Sequence, residues 1–299
     1  MLAMRNAFIE ELVLLAEANP KVALVVGDLG FSVVEPFSSK FPERFINAGV
    51  AEQNMTGLAA GMASEGFHVF TYSIANFPTF RCAEQIRNDV AYHNLPVTVV
   101  SVGGGLAYGA LGYSHHAVQD YGLMRVFPNM QIFAPGDPAE VRASMRYLGK
   151  NPGPSYLRLG KAGERVFHQE VPQLAPGQWL CVRKSPNANS KKTLLTTGAT
   201  LGLAMNLITQ NKDFEDFDVH TLPVWGISSK AVQQALVDQY ELVFTLEDHL
   251  KDAGFGSWLM ESLEPSSIAR VRVNALDASV CGLVGQQAVL NGAGGLGTF

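Results

Sequence analysis

Apolar residues recur at helical spacing at Ala7, Phe8, Leu12, Leu15 and Ala16, and Asn19-Pro20 closes that run before an unbroken apolar stretch from Val22 to Val26. A strand that is apolar throughout, rather than at alternate positions, is one covered on both faces. Helical patterns and continuous apolar strands keep alternating up to Tyr156-Leu157-Arg158-Leu159, which predicts an α/β domain built on a doubly wound parallel sheet. Ligands of such sheets sit beyond the carboxyl ends of the strands. Chemistry is therefore expected in the loops holding Asp28, Tyr72 to Phe80, Gly103 to His116 and Arg158 to Lys161.

Between about Gly163 and Lys192 the pattern gives way to turn formers, Pro172-Gln-Leu-Ala-Pro176-Gly and Ser185-Pro-Asn-Ala-Asn-Ser. A second alternating set follows. Strands are predicted at Thr193 to Thr196, Phe217 to Leu222, Leu242 to Leu246 and Val271 to Val273, and helices at Thr200 to Ile208, Lys230 to Val237 and Gly254 to Leu263. The expected organisation is a first domain at residues 1–165, a linker at 166–191 and a smaller α/β domain at 192–299.

The stretch Phe45-Ile-Asn-Ala-Gly-Val-Ala-Glu52-Gln-Asn-Met-Thr-Gly57-Leu-Ala-Ala-Gly61 reads as a short strand, a turn and a helix. Gly in a helix costs roughly 1 kcal/mol against Ala, so Gly57, Ala60 and Gly61 on one face predict a close helix contact. Glu52 heads that helix among Val50, Ala51 and Met55, with no cation beside it in sequence. Acidic residues also favour first turns through the helix dipole, so position alone leaves its role open.

Composition narrows the class. The chain has 299 residues, 47% hydrophobic and 16% charged, which suits a globular protein with two cores. A net charge of -5 without long like-charge blocks argues against nucleic acid as a partner. Cys82, Cys181 and Cys281 are odd in number and widely spaced, suggesting neither a disulfide framework nor a metal knuckle, and fit a reducing cytoplasm. The start, Met-Leu-Ala-Met-Arg-Asn-Ala, lacks the features of a signal peptide, and no stretch approaches a membrane span.

In order along the chain come Glu52, then Tyr72-Ser-Ile-Ala-Asn-Phe77-Pro-Thr-Phe80-Arg-Cys-Ala-Glu-Gln-Ile-Arg87, the strand Pro96-Val-Thr-Val-Val-Ser, a glycine run and Ser114-His115-His116. This order resembles the pyrimidine-binding domain of transketolase-like thiamine diphosphate enzymes, and the resemblance runs from Met4-Arg5 to Gly285-Gln286-Gln287. It implies that Glu52 touches the aminopyrimidine of thiamine diphosphate, and that Tyr72, Phe77 and Phe80 supply stacking aromatics. A carboxyl sharing a proton with that ring needs an apolar setting. Asp28 matches a residue near the cofactor, although a turn-forming Asp explains it as well. Arg87 is equally well read as a solvated or intersubunit ion pair.

His115 matches the histidine of the family's Thr-His-Gln, a substrate contact, and His116 beside it could serve proton transfer or hydroxyl binding. Arg5, Ser32 and Lys161 resemble residues that bind an acceptor's phosphate in transketolases, and Arg158 resembles one in deoxyxylulose-phosphate synthases; surface charge is the plain alternative for each. The chain departs from sugar-phosphate transketolases at Gly103-Gly104, where they carry His-Asp, and at Leu111, where they carry an acid. Those changes remove groups that grip donor hydroxyls. Glu247-Asp248-His249 looks like a metal or acid-base cluster, and the resemblance makes it structural or interfacial.

Family members hold the diphosphate through Mg²⁺ on a domain bearing Gly-Asp-Gly followed by an Asn. This chain lacks Gly-Asp-Gly; Gly27-Asp28-Leu29 with Asn47 imitates it poorly. The resemblance thus implies the carboxy-terminal subunit of a split transketolase. An amino-terminal subunit would carry the diphosphate domain and Mg²⁺ in an α2β2 heterotetramer, and this chain would have no metal site of its own. The substrate would be a sugar or sugar phosphate, giving up a two-carbon ketol unit to an aldose. The alternatives are the β subunit of a 2-oxoacid dehydrogenase, a deoxyxylulose-phosphate synthase-like carboligase, and a non-catalytic scaffold or regulatory subunit.

Overall fold

A computed structural model describes residues 3–297. The strands in chain order are β1 (Val22–Val26), β2 (Phe45–Asn47), β3 (His68–Ile74), β4 (Val97–Val102), β5 (Gln131–Phe133), β6 (Ser155–Leu159), β7 (Leu180–Arg183), β8 (Lys192–Thr196), β9 (Asp218–Thr221), β10 (Val224–Gly226), β11 (Leu242–Leu250) and β12 (Val271–Leu276). They form a seven-stranded sheet, ordered β10-β5-β6-β4-β3-β1-β2, and a five-stranded one, ordered β12-β11-β8-β9-β7.

The first sheet is parallel from β5 to β2, as its apolar strands require: β1, β4 and β6 are buried at every position. Helices lie on its faces. The helix Met4–Ala18 packs against Pro138–Lys150 on one of them, where Phe8, Leu12, Val141, Met145 and Leu148 join the core. The start of Pro138–Lys150 is fixed by Asp137, whose carboxylate accepts the Glu140 N–H at 2.8 Å, and by a proline at the first helical position.

The second set of strands and helices falls near its predicted places, with two differences. β7 lies inside the stretch expected to be a linker, and pairs antiparallel with β9. Its residues alternate too little to announce a strand, and β9 supplies the partner that makes it one. β10 belongs by sequence to the second unit, yet it pairs antiparallel with β5 and forms the outer edge of the first sheet. Its Trp225 is wedged between units, with ring centroids 5.2 Å from Tyr121 and 5.0 Å from Trp258, and its indole N–H donates to Thr197 at 3.0 Å.

The seam also carries buried charge. Arg158 donates to Asp120 at 2.7 Å from one unit and to Asp248 at 2.5 Å from the other, lies over the Tyr121 ring at 4.3 Å, and is 3% exposed. Glu247 accepts the N–H groups of Phe255 and Gly256, and His249 accepts that of Gly122. The triplet Glu247-Asp248-His249 is thus a structural joint, as expected.

The helix Glu52–Ser64 lies against β3 with Met55, Ala59 and Ala63 buried. Its other side differs from expectation. A Cβ added at Gly57 or Gly61 meets no atom within 4 Å, so the close contact predicted there is not made among the described residues. Among the described residues no helix is long and apolar enough to cross a membrane.

Candidate active site

The carboxyl ends of β1, β3, β4 and β6 gather most of the expected residues. The loop after β1 is held in an unusual backbone shape: Asp28 and Ser32 have φ of 55° and 66°. Asn47 pins it, receiving the Asp28 N–H at 3.1 Å and donating to the Asp28 carboxylate at 2.9 Å. The Asp28 and Asn47 that imitate a metal motif therefore bind each other. Among the described residues no group of three or more His, Cys, Asp or Glu is arranged to hold a metal.

Glu52 stands beside this loop and is buried to 3% exposure. One carboxylate oxygen, Oε2, accepts from Arg81 at 3.1 Å, while the other, Oε1, is buried with no partner among the described residues. A lone unpaired oxygen of a buried carboxylate is costly. The setting is thus not purely apolar, because folding brings up a cation that the neighbouring sequence lacks.

Arg81 lies over the Phe77 ring at 4.6 Å, and that ring meets the His115 ring edge-on at 5.1 Å. Beyond it the Tyr108 ring lies 6.4 Å from His115, and the Lys161 ammonium sits 4.7 Å over Tyr108. Glu52, Arg81, Phe77, His115, Tyr108 and Lys161 thus form one continuous row. The His115 loop is tied down by Asn76, which donates to the Ser114 carbonyl at 3.1 Å, and the Ser114 hydroxyl meets His115 Nδ1 at 3.0 Å. Burial, helped by the charges of His116 and Arg81, holds the His115 pKa below its usual value and favours the neutral ring. Past Lys161 opens a cleft of about 570 Å³ between the units, lined by Gly104, Gly160, Ala199 and Asn206 among others.

Other expected residues lie elsewhere. Tyr72 is in the core, stacked on Phe8 at 5.8 Å, with its hydroxyl facing Arg5 rather than Phe77. Phe80 is 42% exposed on the surface, so Phe77 alone of the aromatic trio joins the row. His116 is fully buried with Nε2 turned to the Gly109 carbonyl at 3.4 Å, away from the site, because the loop's backbone turns between the two histidines. Arg158 is spent on Asp120 and Asp248 and has no free face for phosphate. Arg5 has a buried Nε that finds no partner among the described residues, Ser32 is exposed in the strained loop, and exposed Arg87 donates to Asn88 at 2.9 Å.

Reading the sequence alone misses Arg81 and Tyr108. Arg81 stands one helical turn after Phe77, a spacing that brings side chains together and that could have revealed it. Tyr108 had no signal beyond the bare Gly103.

Residues 1–164 match the family model described as the transketolase, pyrimidine binding domain. The B subunit of the apulose-4-phosphate transketolase of Actinobacillus succinogenes is 32% identical over 80% of this chain and 76% of its own. Its counterpart of the same description in Phocaeicola vulgatus is 29% identical over 90% and 86%. A solved structure described as a split gene transketolase, inactive beta4 tetramer, superposes with a TM-score of 0.82 at 29% identity, covering 99% of this chain and 94% of that one. With a matched domain over more than half its length and relatives spanning most of the rest, the chain belongs to the transketolase family, whose members depend on thiamine diphosphate.

Proposed function

We propose that this chain is the carboxy-terminal subunit of a two-chain transketolase, passing a two-carbon ketol unit from a phosphorylated ketose to an aldose. The carrying observation is Glu52 Oε1, a buried acceptor without a partner among the described residues, at the head of a row that ends in the Lys161 ammonium. The residues fit an aminopyrimidine: a carboxyl to share a proton with its ring nitrogen, and the Phe77 ring next along the row. The coenzyme, when bound, supplies the electron sink for breaking the bond next to the donor carbonyl.

This chain's own residues do the rest. Glu52 holds and returns a proton at Oε1, Arg81 orients the carboxylate through Oε2, and Phe77 packs against the ring. His115, kept neutral, accepts a proton from a substrate hydroxyl as the bond breaks and returns it to the acceptor's oxygen. Arg5 and Lys161 draw the anionic end of the sugar. Mg²⁺ and the diphosphate would be held by an amino-terminal subunit, a reading supported by two relatives that span most of this chain and are described as B subunits. The bare Gly57 and Gly61 face and Val50, 75% exposed at the head of the same helix, support an assembly in which that helix meets another subunit.

The test mixes this chain with a candidate partner bearing Gly-Asp-Gly, thiamine diphosphate and Mg²⁺, and measures ketol transfer from a ketose phosphate. Activity should need both chains and fall by about 10² to 10⁴-fold with Glu52→Ala. Activity surviving that substitution, or turnover by this chain alone, overturns the reading.

A further inference from the structure

Asn76 stands where two elements of the site meet. It precedes the short helix Phe77–Phe80, and its carbonyl accepts the Phe80 N–H at 3.3 Å and the Thr79 hydroxyl at 3.1 Å, which seats that helix. Its side chain serves a different segment: Nδ2 donates to the Ser114 carbonyl at 3.1 Å, across 38 positions of chain. The Ser114 hydroxyl in turn meets His115 Nδ1 at 3.0 Å. Two hydrogen bonds thus run from the residue before Phe77 to the ring of His115, and the Phe77 and His115 rings meet edge-on at 5.1 Å.

Stability does not account for this amide. Its Oδ1 is buried and finds no partner among the described residues, an arrangement that costs free energy. Ser114 is exposed, so water can take up its carbonyl when the amide is removed, and the Asn76 side chain makes no cap bond to the helix it precedes. What the amide does determine is where Ser114 and His115 sit relative to Phe77. Gly112, with φ of 82°, lies just ahead of them and gives the loop no stiffness of its own.

We propose that Asn76 is a positioning residue: acting through Ser114, it holds the His115 ring beside Phe77 and keeps Nδ1–H donated to the Ser114 hydroxyl, so that the Nε2 lone pair is free to take a proton. The inference rests on the transketolase reading only for the substrate hydroxyl that gives up that proton. A neutral imidazole has one N–H and one lone pair, and the partner of one nitrogen decides which is which. The charged groups around the ring are Arg81 from the Phe77 side and His116 on its own loop, with Lys161 beyond the Tyr108 ring. A loop released from Asn76 moves the ring away from Arg81 and towards water, and both changes favour its protonation.

The test is an NMR titration of the His115 ring in the purified full-length chain, for wild type, Asn76→Ala and Ser114→Ala, beside melting curves. In wild type the ring should titrate below 6.5, and its nitrogen shifts should report one neutral tautomer with the proton on Nδ1. Asn76→Ala should move the titration up towards 6.5, and Ser114→Ala should populate both tautomers, each with an unchanged melting temperature. In the two-chain enzyme Asn76→Ala should lower kcat about ten-fold and leave KM near wild type. A proton on Nε2 in wild type, a ring that titrates alike in wild type and Asn76→Ala, or a lowered melting temperature of Asn76→Ala overturns the proposal. The expected NMR changes without any ketol transfer by the two-chain enzyme would instead overturn the transketolase reading and leave the Asn76 clamp standing.

Discussion

Arg81 meets one oxygen of Glu52 at 3.1 Å and leaves the other buried and unpaired. The half-satisfied carboxylate distinguishes a group set to receive a ligand from one that merely caps a helix, which would accept a backbone N–H of the first turn, as Glu52 does not. Removing Arg81 should therefore affect turnover more than folding. Arg81→Ala is expected to lower kcat by about ten-fold while Arg81→Lys recovers part of it. Steady-state kinetics of the two-chain enzyme, beside melting curves, would check this; a large loss of stability with proportionate loss of activity would contradict it.

Arg158 should behave in the opposite way. Replacing it by Met leaves Asp120 and Asp248 buried without their cation, a loss of about 3 to 5 kcal/mol. Urea denaturation should show this loss directly. If Arg158→Met kept full stability and raised KM for phosphate alone, the structural assignment would fail.

Glu140 gives the chain an alkaline weakness. It is fully buried, accepts the Gly136 N–H and meets Thr221, and burial raises its pKa to about 7. Its folded pKa lies above the unfolded value, so its contribution is complete below about pH 4.5 and is lost as pH rises through 7. His168, raised by Asp137 and Glu140, loses its contribution in the same direction, whereas Asp137, lowered by its hydrogen bonds, matters only in acid. Stability measured from pH 6 to pH 9 should fall by on the order of 2 kcal/mol, and Glu140→Gln should flatten the curve. A flat wild-type profile would refute the assignment.

The uncovered helix face predicts assembly without folding. Gly57→Ala and Gly61→Ala should each stabilise the isolated chain by about 0.5 to 1 kcal/mol, since nothing lies near the added methyl groups. Gly57→Trp should leave the chain folded but split its oligomer, as read by sedimentation. An oligomer unchanged by Gly57→Trp would remove that face from the interface.

Much of this was legible in the sequence. Unbroken apolar strands fix a parallel sheet, and a parallel sheet fixes which loops share an end, so Glu52, Phe77, His115 and Lys161 could be brought together before any coordinates. What escaped depended on side-chain direction and on pairing between distant segments. His115 and His116 are neighbours whose rings part company at a backbone turn, and Arg158 points down into the seam although Lys161, shortly after it, points out. Arg81 reaches Glu52 across 29 positions of chain, a distance no local pattern encodes. Tyr108 escaped because its meaning lies in an absence at Gly103.

The late strand β10 has a consequence for how the polypeptide comes to exist. While it leaves the ribosome, the sheet that carries Glu52 is missing its border until Val224–Gly226 emerges, and β5 meanwhile presents open N–H and C=O groups. A shortened gene product ending after Lys161 would hold nearly every site residue and still carry a sticky rim, inviting self-association. The two units are therefore inseparable for reasons of synthesis, whatever their chemistry.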